Sequence, residues 1–303
     1  MSNPRNLLSR FAQNKHVLLL LLLIAIVNFC TMPRAAYQGD AYAIRLEGVH
    51  LLEKGDIGIP IAKGVLMKEL VAQEGQYFFF NREKGKLYSK WGILNTVLFL
   101  PPVAMERILF QVNDLFEPGV PVTDLKLHTK PLMFLLNVYN IFFSLLVALY
   151  LYRLAELFSG HLISRYVFVL GIFYSTFVWN YLRAQSSEIF QIFLFAVFFF
   201  HLVRFQRQAK AAGKREAWPH LLACASCAGL LSLTKIYYIL IFPILTAVVI
   251  LEPEFRGALW GGSQQKQNAR RLVLSLGLPT LVTLSVILFA NHYKYGSFFE
   301  SGY

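Results

Sequence analysis

The sequence predicts an all-α polytopic membrane protein with about seven transmembrane helices. Hydrophobic residues make up 56% of the 303 residues and charged residues only 15%, whereas about a quarter of a soluble domain is charged. The apolar residues also lie in long blocks rather than in alternation, which is typical of membrane spans. We therefore treat residues 1–303 as a single membrane domain.

The first span is predicted over about 16–32. Arg5, Arg10 and Lys15 precede this apolar block, and basic residues next to a first span favour a cytoplasmic amino terminus. The block is not followed by a clean small-x-small cleavage site, and many apolar segments come after it. We therefore interpret it as a retained span rather than a signal peptide.

A long mixed region, 33–130, is predicted to form an extracytoplasmic loop with juxtamembrane helices. Its segment 93–110 is apolar, but it carries the Pro-Pro pair 101–102 in the middle and the charged pair Glu106–Arg107 near the end. Proline interrupts helical hydrogen bonding, and charge in the hydrocarbon core is costly. The segment is therefore predicted to be interfacial rather than spanning.

Further spans fill the region 131–291, and the extracytoplasmic end 292–303 follows the last of them. They are predicted at about 131–152, 162–182, 189–203, 218–233, 236–251 and 272–291. Because the chain stops directly after a span, we expect it to be carboxy-terminally incomplete.

The distribution of basic residues predicts the orientation. With 93–110 outside the bilayer, the densest basic cluster, 204–215, and the later group 256–271 both fall on the side of the amino terminus. This side is predicted to be cytoplasmic. If the protein is bacterial, the membrane is predicted to be the cell or cytoplasmic membrane. The net charge of +12 then reflects basic loops that meet anionic membrane lipids rather than nucleic acid, for which the sequence has no signature.

The stretch 39–55 places a carboxylate where the chain leaves the bilayer. Apolar residues recur there at helical spacing and Gly55 is a plausible helix stop. Asp40 at the head of this helix is predicted to be either a helix cap or a catalytic group, and the spacing leaves both open. Glu47, roughly two turns later, is predicted to lie on the solvated face.

Carboxylates and basic residues collect on the predicted outer face, where they suit chemistry on a lipid-linked phosphate. A carboxylate there can deprotonate an acceptor hydroxyl while lysine and arginine hold the phosphate. Each residue also has an ordinary interpretation, because tyrosine and lysine gather at interfaces and an acid suits a helix start. The candidate residues are Asp40, Tyr88, Lys90, Arg183, Glu188 and Lys235.

The order of these tracts resembles a known family. An acid-led helix after the first span occupies 39–55, a Y-S-K-W-G tract begins at Tyr88, R-A-Q-S-S-E spans 183–188, L-T-K spans 233–235, and N-H-Y-K-Y-G-S opens the segment 291–303. This layout is similar to the GT-C glycosyltransferases of the dolichyl-phosphate-mannose protein mannosyltransferase and aminoarabinose transferase type. The usual second acid after the first is replaced here by alanine.

The resemblance implies an inverting glycosyltransferase that uses a polyprenyl-phosphate sugar and acts at the extracytoplasmic face. Asp40 would be the general base that activates the hydroxyl of an acceptor lipid, glycan or protein. Lys90, Arg183 and Lys235, with Tyr88, would bind the donor phosphate, and Glu188 would orient one of these cations or bind sugar hydroxyls. No metal or cofactor is required, although some relatives bind divalent cations.

Two other functions remain open at this point. A transporter or flippase for a lipid-linked sugar predicts ionisable residues in the middle of spans and repeated halves. A non-catalytic membrane assembly subunit would fit an incomplete chain. The C-x-x-C of Cys224 and Cys227 lies in an apolar run without a partner histidine, and we interpret it as helix packing rather than as a redox or metal motif.

Overall fold

A computed structural model describes residues 4–32, 39–60, 77–110, 130–183, 187–210, 217–251 and 265–300. These residues are mainly helical, with one small antiparallel sheet. The helices outside the predicted loop are α1 (Pro4–Cys30), α5 (Lys130–Phe158), α6 (Leu162–Ser175), α7 (Val178–Arg183), α8 (Glu188–Lys210), α9 (Ala217–Thr234), α10 (Ile241–Leu251), α11 (Gln265–Leu272) and α12 (Leu278–Tyr295).

Four helices of the described chain are long and apolar enough to cross a membrane, which confirms the predicted class of membrane protein. They cover Leu132–Phe158, Glu188–Ala209, Ala217–Thr234 and Gln265–Tyr295. The last of these is continuous because a π-helical segment, Val273–Gly277, joins α11 to α12.

The other predicted spans correspond to shorter apolar helices. These are Lys15–Cys30, Leu162–Ser175 and Ile236–Leu251, the last beginning with the 3₁₀ turn Ile236–Leu240. The span predicted over 162–182 is broken at Thr176, whose extended backbone separates α6 from α7. The total of seven spans, and the side of the membrane on which each loop lies, stay predictions.

The region predicted as a loop of juxtamembrane helices also contains a three-stranded sheet, which was not predicted. Its helices are α2 (Gly39–Lys54), α3 (Ile93–Leu98) and α4 (Leu100–Phe110), and its strands are β1 (Ile59–Pro60), β2 (Phe78–Asn81) and β3 (Lys86–Ser89). The strand order is β1-β3-β2 with antiparallel pairing. Gly85 closes the β2–β3 hairpin with a φ of 62°, a conformation that glycine adopts without a steric penalty.

The segment 93–110 is divided into α3 and α4, of 6 and 11 residues. Both lengths are well below the roughly 20 residues that a transmembrane helix needs. The division falls at Phe99, just before the proline pair, and both helices pack against α2. The segments 61–76 and 111–129 of the predicted loop lie outside the described residues.

Two apolar clusters hold the helices together. One joins α1, α2, the sheet, α5 and the first half of α8, and an edge-to-face contact between Phe143 and Phe190, with centroids 4.5 Å apart, lies within it. The second joins the end of α8 to α9, α10 and the π-helical segment. Helix α9 packs against α8, α12 and α3, so it connects the spans to the helices of the predicted loop.

Candidate functional site

A buried ion pair joins the predicted outer loop to the last span. Glu47 on α2 is fully buried, and its Oε1 lies 3.0 Å from the ammonium of Lys294 on α12. The carboxylate also accepts hydrogen bonds from the Ser89 N–H at 2.5 Å and from the Thr96 hydroxyl at 2.7 Å. Burial raises the pKa of Glu47, while Lys294 and these hydrogen bonds oppose that rise.

This burial shows that the prediction of a solvated Glu47 is wrong. Helical spacing from Asp40 does not reveal the sheet and the helix end that cover α2. A buried carboxylate is tolerated only with a partner charge and hydrogen bonds, and Lys294, 247 positions later in the chain, supplies that charge.

Lys294 also binds the chain between β3 and α3. Its Nζ donates to the carbonyl oxygen of Ser89 at 3.1 Å and to that of Trp91 at 3.2 Å. An ammonium has three N–H donors and no acceptor. Those donors have four oxygens within reach, two from Glu47 and two from the backbone.

Gly92 brings the start of α3 against the end of α9. Its N–H donates to the carbonyl oxygen of Thr234 at 3.1 Å, and the Asn95 amide donates to the same oxygen at 3.0 Å. The last carbonyl groups of a helix need hydrogen-bond donors from outside the helix. Here two donors, from Gly92 and Asn95, bind the carbonyl oxygen of Thr234. A Cβ added to Gly92 would lie 2.0 Å from the Leu233 carbonyl oxygen, so the approach requires glycine.

A cavity of about 40 Å³ lies where these segments meet. This volume accommodates a few water molecules. Three separate parts of the chain line it: the turn before α3, the end of α9 with the following 3₁₀ turn, and the last turns of α12. The lining residues are Lys90, Trp91, Gly92, Ile93, Ser232, Leu233, Ile236, Ile287, Ala290, Asn291, Lys294 and Tyr295.

Lys235 and Glu188 form an ion pair next to this cavity. The Lys235 ammonium lies 3.0 Å from Glu188 Oε1 and 5.1 Å from the centre of the Trp91 ring, which allows a cation–π contact. Glu188 lies in the first turn of α8, where the helix dipole favours an acid. Both side chains retain some exposure, 14% for Lys235 and 18% for Glu188, so neither is fully covered by protein.

A second cluster of polar residues, which we call the outer cluster, consists of Asp56, Lys86 and Tyr293. Asp56 pairs with Lys86 and accepts hydrogen bonds from the Gly58 N–H and the Tyr293 hydroxyl, both at 2.9 Å. Burial alone would raise the pKa of Asp56, but these bonds to the ionised form outweigh it and lower the pKa to about 2. The cluster attaches the turn after α2 to the end of α12.

The structure brings together part of the predicted site. Lys90 lines the cavity, and the Lys235–Glu188 pair lies beside it through Trp91. Tyr88 instead points to the outer cluster, since its buried ring lies edge-on to Tyr293 with centroids 6.3 Å apart.

Two predicted site residues are described only through their backbone. Asp40 lies in the first turn of α2 and Arg183 is the last residue of α7. The side chains of both lie outside the described part of the structure, so their roles stay predictions. Among the residues that the structure describes, no group of three or more His, Cys, Asp or Glu side chains is arranged to hold a metal ion.

The roles of Glu47, Asp56 and Lys294 were not predicted from the sequence. A usable signal existed for Lys294, because it lies within the N-H-Y-K-Y-G-S tract that opens the segment 291–303. The other two have no local signal that separates them from surface acids.

Comparison with known proteins adds no relative. No protein-family model matches the chain, and no curated protein or solved structure gives a significant match. The resemblance to the GT-C transferases therefore depends on the sequence tracts alone.

Proposed function

We propose that this protein is a membrane glycosyltransferase that moves a sugar from a polyprenyl-phosphate donor to an acceptor hydroxyl at the extracytoplasmic face. The observation that carries the proposal is the convergence of tracts that are far apart in the sequence. The Y-S-K-W-G tract, the L-T-K tract and the tract that begins at Asn291 contribute to the walls or rim of one cavity. The tract that ends at Glu188 joins them through Lys235.

The cations around the cavity support a phosphate-binding role. Lys90 is in its wall, and Lys235 lies between a carboxylate and an aromatic face at its edge. A phosphate that replaced Glu188 as the partner of Lys235 would keep that ammonium neutralised, which makes the exchange electrostatically mild. Arg183 is included among the proposed phosphate-binding residues because it is positively charged and lies in the same sequence tract as Glu188.

Apolar residues next to these cations suit a lipid-linked donor. Ile93, Leu233, Ile236 and Ile287 form much of the cavity wall. A polyprenyl phosphate needs a polar site for its phosphate and a continuous apolar path for its chain. In this proposal the phosphate binds beside Lys90 and Lys235, and the lipid chain lies along the neighbouring apolar residues of the cavity wall.

The chemical step is a displacement at the anomeric carbon of the sugar. Asp40 takes the proton of the acceptor hydroxyl, and the acceptor oxygen forms a bond to that carbon. The bond from the carbon to the phosphate oxygen breaks, and polyprenyl phosphate leaves with the electron pair, stabilised by the lysines. The proton on Asp40 then passes to water, and the configuration of the sugar is inverted.

The proposal is tested by transfer assays in membranes from cells that express the full chain. A panel of radiolabelled polyprenyl-phosphate hexoses and pentoses is supplied, and label in lipid, glycan and protein acceptors is measured. Asp40→Asn is expected to reduce transfer about 100-fold or more, because it removes a general base. Asp56→Asn, which neutralises an acid of the outer cluster, is the matched control and is expected to retain transfer.

The possible outcomes separate the competing functions. Equal transfer by wild type and Asp40→Asn would remove Asp40 as the base. If label crossed the membrane while still joined to the polyprenyl phosphate, the protein would be a transporter. If no donor gave either result, a non-catalytic role would replace the proposal.

A further inference from the structure

The turn that carries Lys90 and Trp91 to the cavity is held by the last span. Ser89 is the last residue of strand β3 and Gly92 precedes α3, so a short turn connects the strand to the helix. The carbonyl groups of Ser89 and Trp91, at the start of this turn and within it, accept hydrogen bonds from the Lys294 ammonium at 3.1 and 3.2 Å. Backbone groups of this kind need partners when they are buried.

We propose that Lys294 is a positioning residue, which fixes this turn and thereby sets where Lys90 and Trp91 lie at the cavity. The proposal rests on the proposed function for what the turn binds, namely the donor phosphate. It does not make Lys294 a phosphate ligand itself, because four protein oxygens lie within 3.2 Å of its Nζ.

Glu47 neutralises the charge of the buried Lys294 ammonium. An isolated ammonium at 3% side-chain exposure would be strongly disfavoured, and the fully buried carboxylate neutralises it. Glu47 also accepts the Ser89 N–H, so the same ion pair binds both the N–H and the carbonyl group of Ser89. The pair therefore holds the backbone of Ser89 against both α2, which carries Glu47, and α12, which carries Lys294.

The position of Lys294 predicts an effect on donor binding rather than on proton transfer. Lys294 lies next to the donor-binding turn, whereas Asp40 lies at the start of α2, roughly two helical turns before Glu47. Loss of Lys294 should weaken donor binding through Lys90 and Trp91. It should leave the pH dependence that Asp40 sets unchanged.

The test uses three variants and two measurements. Lys294→Met removes the donors, the double variant Glu47→Gln with Lys294→Gln removes both charges without leaving one unpaired, and Lys294→Arg retains charge and donors. Lys84→Met is the matched control, because Lys84 is an exposed lysine that donates to a backbone carbonyl of α12, that of Tyr293. Its loss is expected to change neither measurement.

The first measurement is amide hydrogen exchange over 86–98, which requires no substrate. In the wild type the Lys90 N–H donates to the Tyr77 carbonyl at 3.2 Å and the Gly92 N–H to the Thr234 carbonyl at 3.1 Å. Exchange in this segment is expected to be about tenfold faster in Lys294→Met and in the folded double variant. Lys294→Arg is expected to restore most of the protection.

The second measurement is steady-state transfer. The KM for the polyprenyl-phosphate donor is expected to rise about tenfold or more in the double variant, while kcat and the pH profile change little. A double variant with wild-type exchange and wild-type KM would overturn the inference. Failure of all three variants to fold would also overturn it, since the pair would then be a requirement of the whole fold.

The two proposals fail in different ways. If the wild type transfers no sugar, the proposed function fails, and the exchange data still decide whether Lys294 positions the turn. If the wild type transfers sugar and the folded double variant has a normal KM, only the positioning role is lost.

Discussion

The N–H of Gly92 donates a hydrogen bond to the carbonyl oxygen of Thr234 at 3.1 Å. This contact joins the turn before α3 to the end of α9, and it brings two tracts singled out in the sequence, Y-S-K-W-G and L-T-K, into direct contact. The contact is so close that a methyl group at residue 92 would overlap the Leu233 carbonyl oxygen. The glycine of the first tract thus has a structural explanation independent of any function.

Gly92→Ala is expected to destabilise the protein by about 1–3 kcal/mol, the usual cost of inserting a methyl group into a packed site. Thermal unfolding in detergent, followed by circular dichroism, measures this as a lower Tm. The matched control is Gly171→Ala in α6, where an added Cβ would meet nothing within 4 Å. Alanine there should be neutral or slightly stabilising, because it favours the helix more than glycine does. Equal Tm values for the two variants would contradict this role for Gly92.

Asp56 is expected to make stability depend on pH in the acid range. Its pKa is lowered to about 2 in the folded protein, from an ordinary value of 3.8. The ionised form is therefore favoured by folding, and its contribution is present above about pH 4 and disappears as the pH falls to about 2. Because the carboxylate is partly exposed to solvent, we expect a contribution of only about 1 kcal/mol.

The measurement compares the wild type with Asp56→Asn across pH 2 to 7. The difference in unfolding free energy should be full near pH 6 and should shrink below about pH 4. Glu300→Gln, at an exposed position, controls for the loss of one negative charge. A difference that stayed constant down to pH 2 would show that the ionised form of Asp56 is not what stabilises the fold.

The sequence predicted the membrane class and most helix positions because long apolar blocks are a local property. The tracts that meet at the cavity were singled out together by the resemblance of their order to the GT-C transferases, because each tract alone has an ordinary interpretation at a membrane interface. The hairpin of β2 and β3 was not predicted. The available signal was an apolar and aromatic run before the turn at Gly85, to which no secondary structure was assigned.

The buried pair of Glu47 and Lys294 shows why the rest could not be predicted. The two residues lie 247 positions apart, and neither has a local pattern that marks it as buried. Lys294 appears from the sequence to follow the last span, but α12 continues to Tyr295 and places it in the final turn of the helix. Whether an exposed-looking charge becomes a core residue depends on which distant segments pack over it, and single-sequence patterns do not contain that information.

Accessibility to an impermeant maleimide tests the predicted orientation. In a Cys30→Ser background, which retains only the buried Cys224 and Cys227, one cysteine is introduced at position 125 in the predicted outer loop or at position 210 in the densest basic cluster. The background without an added cysteine is the control. The positive-inside rule predicts that Leu125→Cys reacts in intact cells and Lys210→Cys reacts only after permeabilisation. The reverse pattern would place the cavity on the cytoplasmic side and contradict an extracytoplasmic reaction.

Equilibrium binding of a fluorescent polyprenyl-phosphate hexose to the purified full chain tests the central claim most directly. The double variant Lys90→Met with Lys235→Met is expected to bind at least about 30-fold more weakly than the wild type, because two charge-assisted contacts to the phosphate are lost. Lys15→Met, an exposed lysine on α1, should bind normally. If the wild type does not bind, or the double variant binds as tightly as the wild type, the cavity is not the donor site and the account is wrong.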